Sequence, residues 1–358
     1  MTPTADPRLA APVDLTLLSV GDFRCRPGCA LCCFATPAAS PEEVRELTRR
    51  VPDLRLLPGA AGFRTIAGRP DGGACGLLND LRCSAHDLRP FPCREYPIAV
   101  HMGDRLQATL VLSCPGVIPA RLESWGTVPA AVGVGGGLRE ELSAVEAEAS
   151  RPTTGRRARA ARRRWAHGAR RLLGRDWHDR LEEVREQLSR EAESIAARAP
   201  PGGDPPEAAA GLERLPLFFD ERAGRIALSE DPPGWGLLEI REQGGVAGPP
   251  ALLPRPPESV AMDAPARRLL TGYLRYWTAR DALLGQAMVE TEAAEASALL
   301  GTLREALEEI ASTVKGRGWV WGRFVGRYEP ALTPETVLAG IRATDADLLD
   351  REGLGETL

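Results

Sequence analysis

The residues in this sequence whose type and spacing best suit chemistry are its eight cysteines, all of which occur by position 114 of the 358-residue chain. The segment "FRCRPGCALCC" contains four of them, and the other four follow at wider spacings. Thiolates bind soft metals tightly, and short spacings such as C-x3-C and C-x2-C close a chelate loop around one centre. The sequence therefore predicts a metal or iron–sulfur module with these ligands: Cys25, Cys29, Cys32, Cys33, Cys75, Cys83, Cys93 and Cys114.

The adjacent pair Cys32 and Cys33 bears on how these ligands are shared. Neighbouring side chains of an extended chain point to opposite faces, so one metal ion rarely takes both. In that case one of the two belongs with Cys25 and Cys29, and the other reaches toward the later cysteines. A turn would instead bring the two thiols together, and both arrangements remain open at this level.

The identity of the metal is less determined than the ligand set. Zinc sites usually show two clean C-x2-4-C knuckles, whereas this chain has one such run followed by wide spacings. The pair Cys114-Pro115 also occurs at the end of bacterial ferredoxin runs. The sequence therefore favours an iron–sulfur cluster, of the 4Fe–4S type, over zinc. His86, between Cys83 and Cys93, is a further candidate ligand.

Two arginines flank the later cysteines. Arg89 and Arg94 are candidates to offset thiolate charge or to donate hydrogen bonds to cluster sulfur, with plain surface placement as the alternative.

Two uses of the thiols other than metal binding must be weighed. Disulfides would suit the even number of cysteines, but the N-terminus has no basic-then-apolar secretory signal. Burial of cysteines as small hydrophobes would not confine all eight to the first third of the chain.

Composition narrows the partners and the compartment. Hydrophobic residues make up 43% of the chain, charged residues 26%, and the formal net charge is −4, which favours a soluble protein without a nucleic-acid or membrane partner. No apolar span is long enough for a membrane helix, and we expect a cytoplasmic location. The basic run from Arg156 to Arg175 is interpreted as a solvated helix in a lysine-poor chain; a nucleic-acid or acidic-partner surface is the alternative.

Two local patterns shape the cysteine-rich segment. "SPEEVRELTRRV" predicts a helix that begins after Ser40, with Glu43 completing a capping box. "YPIAVHMGDRLQATLVLS" predicts a β-hairpin whose turn lies near residues 102–105. Cys93 and Cys114 are equally distant in sequence from that turn. We therefore expect them to lie near each other at the open end of the hairpin.

The remainder of the chain is predicted to be mainly helical. "AVGVGGG" is interpreted as a flexible joint rather than a nucleotide-binding loop, and "APPGGDPPEAAAG" as a linker. "LPLFFDERAGRIALS" and "WGLLEIREQ" predict short strands, and "GPPALLPRPPESV" an extended connector. Helices follow from Asp263 onward, with Thr333 capping the last of them. The aromatic residues Tyr273, Tyr276 and Trp277 are predicted to be core, and the glycines from Gly316 to Gly326 a loop with aromatic anchors.

These patterns predict an α+β fold. A small cysteine-rich metal-binding module with a β-hairpin is followed by a mainly α-helical C-terminal region. We place the module at residues 1–130 and a middle segment of joint, charged helices and linker at 131–211. A mainly helical domain with a short strand pair follows at 212–358. The oligomeric state is not determined by the sequence.

The cysteine segment resembles the YkgJ-type family, described as a zinc- or iron-chelating domain. That family shows C-x3-C-x2-C-C, then G-x-C-x-x-L, then C-x-I-Y-x-x-R-P-x-x-C-R-x-F-P. This chain has "CRPGCALCC", "GACGLL" and "CSAHDLRPFPCREYP", with Ala85-His86 in place of Ile-Tyr and Tyr96 in place of Phe. The match covers about residues 23–116 and implies that the chain binds zinc or iron through these cysteines.

A wider resemblance is to flagellin lysine N-methylases of the FliB type. Those proteins join such a region, with C-x-x-Y-P and S-C-P elements, to a long helical part. Here "CREYP" and "LSCPG" fit and the helix around Tyr273 is the candidate counterpart, although the first motif lacks the family's longer spacing. The resemblance implies an iron–sulfur cluster, S-adenosylmethionine and a protein substrate methylated on lysine. The alternative is a zinc-stabilised binding or scaffold protein without catalytic activity.

Overall fold

The computed structural model describes most of the chain, including all eight cysteines. The predicted joint "AVGVGGG" and most of the predicted linker at 199–211 lie outside the described residues. The described ranges are 15–19, 21–26, 29–34, 37–59, 62–68, 74–119, 122, 138–201, 217–220, 224–231, 234–240, 246–253, 256–291, 296–326 and 331–351.

The strands form small sheets, most of them in the cysteine-rich part and the others after residue 216. In the cysteine-rich part, a three-stranded sheet has the order β1-β9-β8, a second has the order β3-β5-β4, and β2 pairs with β10 and β6 with β7. The strands are β1 Leu15–Leu17, β2 Gly21–Phe23, β3 Ala38–Ala39, β4 Leu56–Pro58, β5 Arg64–Ile66, β6 Leu78–Asn79, β7 Arg82–Cys83, β8 Ile98–Met102, β9 Leu106–Leu110, β10 Val117–Pro119, β11 Leu217–Asp220, β12 Gly224–Asp231, β13 Gly234–Ile240, β14 Val246–Leu253, β15 Ala261–Met262 and β16 Ala331–Leu332.

Helices dominate the chain after the cysteine-rich part, as the sequence predicts. Within the described ranges, no helix is long and apolar enough to cross a membrane. The helices are α1 Pro41–Arg50, α2 Phe91–Glu95, α3 Arg139–Ala149, α4 Pro152–Leu173, α5 Trp177–Arg198, α6 Ala264–Ala279, α7 Asp281–Glu290, α8 Ala296–Phe324 and α9 Pro334–Arg351.

The predicted hairpin is confirmed. Strands β8 and β9 pair antiparallel from Ile98↔Leu110 to Met102↔Leu106, which places the turn at residues 103–105. β1 adds to the other edge of β9 in parallel. The turn docks against α7, because the Asp281 carboxylate accepts a hydrogen bond from the Arg105 backbone N–H at 2.8 Å.

One large apolar cluster, the main core, joins this hairpin to the helices. Val100 and Leu110 of the hairpin belong to the same set of buried side chains as Leu188 of α5, Trp277 of α6 and Leu307 of α8. Burial of apolar surface contributes about 25 cal/mol per Å². The hairpin is therefore held by the helices as much as by its own ladder. The boundary predicted near residue 130 remains a prediction.

A second, much smaller apolar cluster lies under the cysteines. Its buried members are Ala39, Leu47, Ile66, Cys75, Leu77 and Ala85, with Cys33 and Cys83 packed at its margin. Helix α1 supplies Leu47 and is capped as predicted: the Ser40 backbone N–H donates to Glu43 Oε2 at 2.8 Å, and the Glu43 N–H donates to Ser40 Oγ at 3.3 Å. A core of this size gives little stability without a covalent or metal crosslink.

The predicted C-terminal helices are confirmed, but the predicted glycine loop is wrong. Residues 316–324 belong to α8, which runs without a break to Phe324. At two glycines, Gly318 of α8 and Gly340 of α9, the two helices approach each other closely. A Cβ on Gly318 would lie 2.6 Å from the Thr336 carbonyl oxygen, and one on Gly340 would lie 2.1 Å from that of Val314.

The C-terminal sheet is larger than the predicted strand pair. Strands β11 to β14 form an antiparallel meander in that order. The fourth strand, Val246–Leu253, overlaps the segment predicted to be an extended connector. It contains Pro249 and Pro250, and proline is tolerated in a strand that lies at the edge of its sheet.

Lys315 is the only lysine in the chain, and it is buried in α8 with its Nζ donating to the Ala199 carbonyl oxygen. Burial lowers the pKa of Lys315 from 10.5 to about 8. Between these two values the unfolded chain binds the proton more strongly, so the contribution of Lys315 to stability rises with pH. We expect the free energy of unfolding of wild type relative to Lys315→Met to increase by about 3 kcal/mol between pH 7.5 and 10.5. Urea denaturation of both proteins at several pH values measures this difference in the free energy of unfolding. A difference that stays constant with pH would contradict the burial of the Lys315 amine.

Candidate metal centre

The first cysteine motif folds as a tight turn rather than an extended segment. Residues Leu31–Phe34 form a 3-10 helix, and the Cys33 backbone N–H donates to the Ala30 carbonyl oxygen at 2.9 Å. Ala30 adopts a φ of 50°, in the left-handed region that non-glycine residues seldom occupy. The turn brings Cys32 and Cys33 together, and the Cys33 thiol donates a hydrogen bond to the sulfur of Cys32. The turn therefore places the two thiols side by side, and how they are shared between metal sites remains a prediction.

The next three cysteines lie on short elements that return to this turn. The Cys75 backbone N–H donates to the Cys33 carbonyl oxygen at 2.6 Å. Cys83 ends β7, opposite Leu78 of β6, and Cys93 lies in α2. Backbone pairing thus carries three thiols that are distant in sequence to the first motif.

Cys114 reaches the same region from the far end of the hairpin. Its backbone N–H donates to the Val111 carbonyl oxygen at 3.2 Å, and its own carbonyl oxygen accepts from Val117 at 3.0 Å. The Tyr96 hydroxyl donates a hydrogen bond to the sulfur of Cys114. Cys114 interacts with Cys29, whereas Cys93 interacts with Cys75 and Cys83.

All eight cysteines are free thiols, and Cys32 is the one whose pKa is lowered below the ordinary value. Beyond its hydrogen bond with Cys33, it interacts electrostatically with the six other thiols, those of Cys25, Cys29, Cys75, Cys83, Cys93 and Cys114.

When the interactions of Cys32 are set aside, the other seven thiols form one group of three and one of four; Cys32 is assigned to the group of three, which contains its neighbours in the first motif. Cys29 interacts with Cys25, Cys32 and Cys114, and these four are called the first quartet. Cys33 interacts with Cys75 and Cys83. Cys93 interacts with the same two thiols. Cys33, Cys75, Cys83 and Cys93 are called the second quartet. Cys32 and Cys33 thus lie where the two quartets meet.

Burial keeps most of these thiols protonated when no metal is bound. It raises the pKa of Cys29 and of Cys93 to about 12, and that of Cys114 to about 11. Cys32 differs, because the hydrogen bond from Cys33 lowers its pKa below the ordinary value. Metal binding requires thiolates and therefore releases protons here.

The two flanking arginines have different roles. The positive charge of Arg89 lowers the pKa of Cys25, Cys32, Cys83 and Cys93 against the effect of burial, so it faces both quartets. Its Nε also donates to the His86 carbonyl oxygen at 3.1 Å. Arg94 instead pairs with Glu43 at 3.1 Å. His86 is exposed on its 3-10 turn.

The residues fit a thiolate-bound metal by their chemistry, although they do not form a finished ligand shell. Among the described residues, no three Cys, His, Asp or Glu side chains are arranged to hold one metal ion. Two observations support the fit. Eight free thiols, four from the first motif and four from later segments, interact with one another. The buried Nε of Arg342, beside Cys114 and Cys29, has no hydrogen-bond partner in the structure.

Helix α9 contributes residues to this region that the sequence reasoning missed. The Asp345 carboxylate accepts hydrogen bonds from the Leu112 backbone N–H at 2.7 Å and from the Tyr273 hydroxyl at 3.2 Å. Arg342 donates to the Val117 carbonyl oxygen at 3.0 Å. Together they hold both sides of the turn that carries Cys114. The signal in the sequence was an acidic residue four positions after Ile341, on the apolar stripe of a helix.

Tyr273, Tyr276 and Trp277 are core residues, as predicted, with all three side chains fully buried or nearly so.

The basic helix α4 has both paired and exposed arginines. Arg162 pairs with Asp104 at 3.3 Å. In α4, Arg156 and Arg163 are exposed.

Glu43 joins α1 to the helix that carries Cys93, because its Oε1 accepts from the Phe91 backbone N–H at 2.8 Å. We expect Glu43→Ala to lower the free energy of unfolding by about 2 kcal/mol, since it removes a helix cap and this tertiary bond together. Urea denaturation measures the loss. Glu42→Ala, at the exposed neighbouring position, is the control and should change stability by less than about 0.5 kcal/mol. Equal effects of the two changes would contradict this role.

In comparisons with known proteins, neither a family model nor a curated protein nor a solved structure matched the chain. The likeness to cysteine-cluster families therefore depends on the quoted motifs and remains an expectation.

Proposed function

We propose that this protein is a metalloprotein whose eight cysteines bind thiolate-ligated metal, with an iron–sulfur centre of the 4Fe–4S type at the first quartet. The observation that carries the proposal is the set of interactions among eight free thiols, four from the first motif and four from later segments of the chain. Thiolates are the ligands of both iron–sulfur clusters and structural zinc. Cys25, Cys29, Cys32 and Cys114 would hold the centre.

The location of the first quartet favours a functional centre. Cys25 is exposed, so one side of the quartet is accessible to a reaction partner. Cys114 belongs to the main core, so a centre held there would lie beside the helical region. Such a centre would supply electron transfer or activation of a bound cofactor.

Zinc at the second quartet is the second candidate, and the small core favours it. Among the described residues that cluster has six buried members, Cys75 is one of them, and Cys33 and Cys83 pack against it. A closed four-thiolate zinc site contributes folding free energy directly. In this form of the proposal the second quartet stabilises the module. If zinc occupied both quartets, the chain would be a binding or scaffold protein without chemistry of its own.

Anaerobic purification of the full chain, followed by assay of iron, acid-labile sulfide and zinc, tests the proposal. We expect iron and sulfide in near-equal amounts, together with the broad visible absorption of iron–thiolate charge transfer. Zinc without iron would support the scaffold alternative. A folded protein that contains neither metal, and takes up neither on reconstitution, would overturn both forms.

We extend the proposal to methyl transfer from S-adenosylmethionine to lysines of a protein substrate, on the resemblance to flagellin lysine N-methylases. The reconstituted protein should transfer labelled methyl groups to lysines of a flagellin when supplied with labelled S-adenosylmethionine. The matched control is Cys114→Ser protein treated in the same way. Absence of label from a metal-loaded wild-type protein, across several flagellins, would overturn the methylase part and leave the metal-binding part standing.

A further inference from the structure

Arg342 is a cation in an unusual position, on the C-terminal helix but turned toward the cysteines. Its Nη2 donates to the Val117 carbonyl oxygen at 3.0 Å. Val117 closes the turn that begins at Cys114, through the 3.0 Å bond from its N–H to the Cys114 carbonyl oxygen. The guanidinium is therefore fixed beside that turn by a contact between segments 225 positions apart.

The surroundings of this guanidinium do not balance its charge. No carboxylate of the described residues pairs with Arg342, and its buried Nε has no hydrogen-bond partner in the structure. The charged or ionisable groups that interact with it are the thiols of Cys114 and Cys29 and the like-charged Arg26. Burying a charge without a counter-charge is costly. Such a residue is expected only where a negative group also occupies the site.

A thiolate-bound metal centre is such a group. Four thiolates outweigh the positive charge of a zinc ion or of a 4Fe–4S core, so the whole centre is an anion. Its sulfur atoms accept N–H hydrogen bonds, and these bonds stabilise the charge. An anion at the first quartet would give Arg342 both the counter-charge and the acceptor that it otherwise lacks.

We propose that Arg342 is a positioning and tuning residue for a metal centre at the first quartet, with its Nε–H donating to a sulfur of that centre. The inference rests on the proposed function. Asp345, one turn further along α9, holds the Leu112 side of the same turn. The centre is therefore complete only when the C-terminal helix is docked, which couples metal binding to the packing of the helical region.

Two measurements test the proposal. Competition with a chelator gives the affinity for Zn²⁺, and a redox titration of the reconstituted iron–sulfur protein gives its reduction potential. We expect Arg342→Gln to weaken the affinity for metal by at least about tenfold, as other losses of hydrogen bonds to ligands do. The potential should also fall, because a neighbouring positive charge favours the reduced, more negative centre. Arg198→Gln, at an exposed arginine of α5 with a 3.9 Å ion pair, is the matched control and should leave both quantities unchanged.

Arg342→Lys separates charge from hydrogen bonding and serves if the Gln variant does not fold. Lysine keeps the positive charge near the thiols but lacks the Nε–H donor. We therefore expect the reduction potential of Arg342→Lys to lie between those of wild type and Arg342→Gln. If only the Lys variant folds, its reduction potential should lie below that of wild type. A folded variant with wild-type affinity and potential would overturn the role of Arg342 while leaving the metal site in place. A wild-type protein that binds no metal would instead overturn the proposed function and this inference with it.

Discussion

Serine in place of Cys114 is expected to remove metal from the first quartet alone, whereas serine in place of Cys83 should empty the second. Cys114 interacts with Cys29 and Cys32, and Cys83 interacts with Cys33 and Cys75. Cys114→Ser should therefore lose iron and keep zinc, whereas Cys83→Ser should lose zinc, and any iron that it loses follows from unfolding of the module. Metal analysis of anaerobically purified protein measures the loss, and Ser84→Ala, which removes only a 3.0 Å side-chain bond to the Leu77 carbonyl oxygen, should keep the full amount.

The two variants should also differ in their effect on folding. The second quartet crosslinks a core of six buried residues. Since structural thiolate zinc contributes about 10 kcal/mol or more to folding in small domains, Cys83→Ser should unfold the cysteine module. The turn that carries Cys114 is held by Asp345 and Arg342, so Cys114→Ser should keep its circular dichroism. Loss of all metal and of the same structure from both variants would contradict two separate sites.

Valine in place of Gly340 is expected to lower the free energy of unfolding by about 3 kcal/mol or more, because it forces two helices apart. Even a single Cβ at this position would lie 2.1 Å from the Val314 carbonyl oxygen of α8. Backbone atoms cannot move aside as a flexible side chain can. Because α9 carries Arg342 and Asp345, we expect the same variant to weaken metal binding at the first quartet.

Gly301→Ala is the matched control on the partner helix. No atom outside its own helix turn lies within 4 Å of a Cβ at Gly301. Alanine there should raise stability by about 0.8 kcal/mol through helix propensity alone. Urea denaturation of the two variants gives opposite signs if the packing is as described. A neutral Gly340→Val would show that α8 and α9 do not approach so closely.

The sequence predicted elements whose signals are local. The hairpin turn followed from alternation on either side of a Gly-Asp pair and was confirmed at residues 103–105. The Ser40 and Glu43 cap was confirmed in both of its hydrogen bonds. The stripe from Leu299 to Val314 is buried, as its spacing predicted. In each case, a few neighbouring residues determine the structure.

Features that depend on distant packing were not predictable in the same way. Glycines 316 and 318 suggest a loop by composition, but both lie in a continuous helix, and at Gly318 the close approach of α9 requires a small residue. The pairing of Cys114 with the first motif depends on contacts from α9, more than 200 positions later. The spacing of cysteines identified the eight thiols, but only the fold divides them into quartets.

X-ray absorption at the iron and zinc edges, recorded on anaerobically purified full-length chain, tests the central claim most directly. We expect a shell of sulfur ligands alone, at about 2.3 Å from the metal. Substitution of Cys32, which lies at the meeting point of the quartets, should lower the sulfur coordination number. A shell of nitrogen and oxygen ligands, or a folded protein without bound metal, would contradict the account.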